Sequence, residues 1–214
     1  MVRTRVGSAP PAGPADLPGS LADPAAAARR RALLDQPHMR PLTGYAQRLG
    51  AQGRGFVPDF DPLDGGVEAW LLVLLEKPGP KTRPPVGSGF VSRDNADQTA
   101  RTLHRFMREA DVPRRSVVIW NVVPWWNGTV CLVAAEKRLG SAELPALLAL
   151  TPALRGVILA GNPAWEFGAP AFTGNGLKLF RCVHPSPQAR AGPRSQEAWL
   201  RLPHIWREAW RVIA

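Results

Sequence analysis

Four short runs of uninterrupted apolar residues limit what this chain can fold into: VEAWLLVLL (67–75), SVVIWNVV (116–123), GVILAG (156–161) and LKLFRCV (177–183). Their lengths suit strands. Apolar residues at successive rather than alternate positions require cover on both faces. Helical periods lie between the runs. Ala100, Leu103, Phe106 and Met107 form one stripe of a helix that Asp94 or Asn95 can cap. Ser141 can cap another, with Glu143 in its first turn. Residues 195–213 make a last helical stretch, bent or broken near Pro203, and Trp199, Trp206 and Trp210 share a face that suits core packing. This alternation predicts an α/β fold: a single domain built on a central four-stranded, mostly parallel sheet with helices on both faces.

Ahead of this pattern, residues 1–22 are rich in Ala, Pro, Gly and Ser and have no apolar period, which predicts a disordered tail before a domain spanning 23–214. Asp23-Pro24 opens a short helix running through Leu34, and residues 37–66 read as loop, with Pro and Gly throughout. No run approaches the ~20 apolar residues of a membrane span. The N-terminus also lacks the apolar core of a signal peptide, so a cytoplasmic, nucleoid-associated monomer with no membrane partner is expected. Lys and Arg outnumber Asp and Glu by 27 to 17, a formal charge of +10. That balance suits either a polyanionic partner or a solvated arginine-rich surface. Cys131 and Cys182 are too few for a four-cysteine cluster or zinc site. Both lie in apolar runs and read as buried free thiols, so no metal and no cofactor is expected.

Parallel sheets of this kind place ligands at the carboxyl ends of their strands. The residues just past the four runs are EKPGP (76–80), NVVPWW (121–126), GNPAW (161–165) and HPSPQA (184–189), all mixing polar side chains with proline or glycine. Four such ends on one edge of a sheet suggest a site.

In order and spacing these ends resemble the uracil-DNA glycosylase superfamily. Leu75-Glu76-Lys77-Pro78-Gly79 is similar to its first motif, Asn121 in WNVVPW to its strand-end asparagine, and His184-Pro185-Ser186-Pro187 to its last motif. Phe90 in GSGFVS falls about where the superfamily carries a base-stacking phenylalanine. The likeness covers roughly residues 67–190, with two departures. Lys77 stands where the best-known members have a water-positioning aspartate. Gly79 stands where they have the tyrosine that blocks thymine's methyl group. The glycine is similar to that of the iron–sulfur branch, whose cluster cysteines are absent here, so the resemblance implies a divergent, metal-free branch.

The resemblance implies an enzyme acting on uracil-containing DNA, and the residue types suit that chemistry. A flipped-out base loses a few kcal/mol of stacking and pairing. An aromatic wall returns about 1–3 kcal/mol of that, which is the role of Phe90 unless it is a core residue. An asparagine amide can accept from uracil N3–H and donate to O4, while cytosine presents the opposite pattern. Asn121 fits this role, or else a structural turn. Breaking the glycosidic bond leaves negative charge on the base, and a donor such as His184 aimed at O2 stabilises it. Lys77 and Gly79 would complete the base pocket. Ser186, Pro187, Gln188 and Arg190 would contact the DNA backbone or fill the vacated stack. The group that orients water is read as Glu76 or, second, Asp94. Hypoxanthine or xanthine excision, or DNA binding without catalysis, are the alternatives.

Overall fold

The computed structural model describes residues 17–191 and 193–214. In chain order the helices are α1 (Pro24–Arg31), α2 (Arg40–Gly50), α3 (Gln98–Glu109), α4 (Ala134–Ser141), α5 (Leu144–Leu150), α6 (Ala169–Phe172), α7 (Pro193–Leu200) and α8 (Leu202–Ile213). The strands are β1 (Asp59–Phe60), β2 (Leu71–Leu75), β3 (Phe90–Val91), β4 (Val117–Asn121), β5 (Gly156–Ala160) and β6 (Lys178–Cys182).

The fold is the expected α/β type. One four-stranded sheet has the order β4-β2-β5-β6, every pair is parallel, and helices flank it. The LLVLL, VVIWN and GVILA strands are buried at every position, as their continuous apolarity requires. At the sheet edge β6 exposes Lys178 and Arg181, charges that discourage pairing with another chain. Chain order reverses between β2 and β5: the connection after β2 leads to β4 on one side, and that after β5 leads to β6 on the other. Such a switch opens a crevice at the carboxyl ends of the strands. Pairing of Leu75 with Asn121 brings the ends of β2 and β4 level there. A second, two-stranded parallel pair, β1 with β3, lies outside the sequence expectation.

Several local expectations are corrected. The segment read as loop contains α2, an amphipathic helix burying Leu42, Tyr45, Ala46 and Leu49. Their i, i+3, i+4, i+7 spacing is helical, and Pro41 is tolerated because it stands in the first turn, where an N–H has no partner anyway. The cap of α3 is Asp97, not Asp94 or Asn95. Ser141 ends α4 rather than opening a helix. Residues 1–16 of the expected tail lie outside the described residues, and at 17–22 the structure departs from the expectation of disorder. There, Ser20–Ala22 forms a 3-10 turn and Leu21 is buried against Ala27, Leu34 and Phe90. The last helical stretch is broken at Arg201, with Pro203 in the first turn of α8. Trp199 and Trp206 are core residues and Trp210 stacks on Trp70. Cys182 is buried, its thiol pushed up to about 12 by burial, but Cys131 is exposed. Among the described residues no helix is long and apolar enough to cross a membrane.

Candidate active site

A cavity of about 370 Å³ opens at the carboxyl edge of the sheet, within the size range of small-ligand pockets. Its wall is drawn from segments far apart in the chain. Lys77 and Gly79 follow β2, Asn121 ends β4, and His184, Pro187 and Gln188 follow β6. Apolar side chains, including Leu75, Val91 and Leu103, supply much of the rest.

Asn121 is 2% exposed, and none of the described residues hydrogen-bonds its amide. A buried amide left without protein partners normally costs about 1–3 kcal/mol, so its position on a cavity wall is informative. The strand end fixes the residue on the cavity wall, and none of the described residues uses its donor or its acceptor.

His184 is half-buried and faces the same cavity. The Ser186 backbone N–H donates to its Nδ1 at 3.2 Å, a bond made possible by the turn through Pro185. With Nδ1 accepting, the neutral ring carries its proton on Nε2 and is a donor. Burial holds its pKa down to about 4 from an ordinary 6.5, so the ring stays neutral at physiological pH. Between pH 4 and 6.5 only the unfolded chain binds the proton, so the His184 contribution to stability rises with pH across that window. An NMR titration of the ring should accordingly show a neutral imidazole from pH 5 to 8. A midpoint near 6.5 would contradict this picture.

Gly79 adopts extended backbone (φ −95°, ψ 178°), and a Cβ there would meet nothing within 4 Å. Its role is therefore one of space, not of backbone freedom. Pro187 and Gln188 are exposed and line the same cavity.

Four expected site residues fall elsewhere. Phe90 is 0% exposed and packs with Leu21, Ala27 and Leu34 in a satellite core, with the Arg31 guanidinium 5.6 Å from its ring centre. Successive residues of a strand point to opposite sides, and in β3 it is Val91 that reaches the cavity. Glu76 turns its carboxyl across the sheet end onto Gly161, whose added Cβ would lie 2.1 Å from Oε1. There burial raises its pKa and Lys137 partly opposes the rise, but the side chain is not part of the cavity wall. Ser186 contributes its backbone to His184 rather than a hydroxyl to the wall. Arg190 lies 5.2 Å from the Trp199 ring centre, outside the cavity.

Lys77 lines the cavity, but its ammonium is held by neighbouring residues. Its Nζ donates to Asn127 Oδ1 at 2.7 Å and to the Cys131 carbonyl at 3.1 Å, and pairs with Glu136 at 3.2 Å. The ammonium is thus a clamp joining the end of β2 to the 127–136 segment, not a phosphate or base ligand. Lys77→Met should lower the unfolding free energy by about 3 kcal/mol, because it strands Glu136 in a partly buried position. Urea denaturation measures this, and an unchanged midpoint would show the clamp to be without weight.

Behind the Ser92 wall lies a buried ionic cluster. Arg30 and Arg114 both hold Asp61 and Asp94, and Arg114 also reaches Asp64 at 3.0 Å. Ser92 donates to Asp61 and accepts the Asp94 N–H at 2.9 Å. Burial raises Asp94, while for Asp61 burial is overcome by Arg114 and Arg30 and the pKa is lowered. Asp94, the second candidate for water orientation, is 0% exposed in this cluster and cannot reach the cavity. Trp125 and Trp126 are core residues, and His38 is buried against Arg115 and the Pro62 carbonyl. Asn162 accepts from Arg181 at 3.1 Å. Among the described residues no group of three or more His, Cys, Asp or Glu side chains is placed to hold a metal ion.

Polar residues that the sequence reading missed also line the cavity: Ser92, Asn95 and Asp97, between β3 and α3, and Gln98, which opens α3. The signal for Asp97 was available. It stands three residues before Ala100, the first apolar position of the α3 stripe, and its carboxylate accepts the Ala100 N–H at 2.9 Å. No family model matches the chain, and no curated protein matches it.

Proposed function

We propose that this protein is a monofunctional DNA glycosylase of the uracil-DNA glycosylase superfamily, removing uracil from DNA by hydrolysis and leaving an abasic site. The observation that carries the reading is the meeting of Asn121 and His184 on one cavity, with the Asn121 amide and the His184 Nε2 unused by the described residues. The Asn121 amide is complementary to N3–H and O4 of uracil, and cytosine would leave it mismatched. The His184 Nε2–H serves O2, where charge develops as the bond to the sugar breaks. A neutral donor needs no proton from solvent and works across the physiological pH range. A chain of net charge +10 suits DNA as the substrate polymer. With Phe90 in the satellite core, the base is held by its polar edge and by aliphatic walls rather than by a stacked ring.

The open space at Gly79 favours a second reading, in which a larger deaminated base, hypoxanthine or xanthine, is excised. Oligonucleotides carrying uracil, hypoxanthine, xanthine or a mismatched thymine, followed by alkaline cleavage of abasic sites, separate the two. Strand breaks with uracil are expected. Breaks with the purines alone would transfer the assignment to the second reading, and binding without breaks would reject both in favour of a DNA-binding protein without catalysis.

A further inference from the structure

We infer that Asp97, the cap of α3, is the catalytic carboxylate that orients the attacking water and takes its proton; the inference rests on the glycosylase reading above. Hydrolysis needs an acceptor for a water proton, and the two carboxylates suggested by sequence order are both out of place. Glu76 lies on Gly161, and Asp94 is locked between Arg30 and Arg114. Lys77, at the position where an aspartate would stand by resemblance, has its ammonium engaged by Asn127, Cys131 and Glu136. Among the described residues that line the cavity, Asp97 alone carries a carboxylate.

Its geometry suits the task. Oδ1 accepts the Ala100 N–H at 2.9 Å, which fixes the side chain, and Oδ2 has no partner among the described residues. The N-terminal end of α3 favours negative charge at this point. Asp97 is half-buried rather than sealed, so water can reach it. The bond from C1′ to N1 breaks and its electron pair passes to the uracil ring, where the His184 Nε2–H meets O2. The oxygen of a water held by Asp97 Oδ2 bonds to the cationic C1′. One proton of that water moves to Asp97 and then to solvent, and the departing uracil anion takes one from solvent. The carboxylate therefore comes from the loop between β3 and α3, on the same cavity as the strand-end histidine, and not from the end of β2.

Asp97 also caps a helix, so the variants must preserve the cap. Asn and Ser both keep a side-chain oxygen for the Ala100 N–H. In single-turnover assays on uracil-containing duplex, Asp97→Asn and Asp97→Ser should excise at least ~100-fold more slowly than wild type, the scale of a lost general base. Their Kd for the duplex should stay within about twofold. Thermal midpoints should match wild type, and added formate should restore part of the rate to Asp97→Ser but not raise that of wild type. Rates within threefold of wild type, or losses that track a fall in thermal midpoint, would overturn the role of Asp97 and leave the glycosylase reading standing. A wild-type protein that releases no base would overturn both.

Discussion

Replacing His184 with alanine is expected to slow uracil excision at least ~100-fold, equivalent to about 2.7 kcal/mol of transition-state stabilisation, with little loss of DNA binding. The expectation rests on when the bond acts. The ring offers a neutral Nε2–H, fixed in direction by the 3.2 Å bond from the Ser186 N–H to Nδ1. Uracil O2 is a weak acceptor while the base is attached and a strong one as charge moves onto it. A donor that gains strength in this way accelerates chemistry more than it aids binding. His184→Gln, which retains an N–H at similar reach, should recover part of the loss. Single-turnover rates together with Kd values provide the check, and an unchanged rate in the alanine variant would remove His184 from the mechanism.

The second large effect concerns Asn121. Asn121→Leu keeps the volume but abolishes the amide, leaving the N3–H and O4 of a bound uracil without partners. A loss of at least ~100-fold in kcat/KM is expected, since unpaired buried polar groups dominate this kind of discrimination. Stability should move the other way. Asn121 is 2% exposed and its amide has no hydrogen-bond partner among the described residues, so leucine breaks no protein hydrogen bond and suits the apolar neighbours better. A higher Tm together with a lower rate is the signature of a residue kept for its ligand. A lower Tm would mean that Asn121 supports the fold instead.

The strands were legible because a buried parallel sheet writes itself as continuous apolar runs, and Leu71–Leu75, Val117–Asn121 and Gly156–Ala160 are buried throughout. From strand order alone, the meeting of the post-β2 loop, Asn121 and His184 at one edge also follows, since all strands of the sheet run the same way. What failed depended on side-chain direction or on distant partners. Phe90 satisfies a spacing, but in a two-residue strand one step in register decides whether a ring faces the cavity or the core under α1. Lys77 looks like a site residue until Glu136, fifty-nine positions away in sequence, engages its ammonium. Asp94 and Asp97 both precede the same apolar stripe, and only the packing of Arg30 and Arg114 reserves the former for the core. Within α2, Gly44, Gly50 and Pro41 suggested loop. The burial of Leu42, Tyr45 and Leu49 shows that an apolar face outweighs unfavourable propensity.

The most direct test is a crystal structure of the His184→Ala protein, slowed enough to retain substrate, bound to a duplex with one uracil. The expected result is an extruded uracil in the cavity at the ends of β2, β4 and β6, with its N3–H and O4 on the Asn121 amide and its O2 towards position 184. A uracil still stacked in the duplex, or a base lodged away from Asn121, would contradict the account.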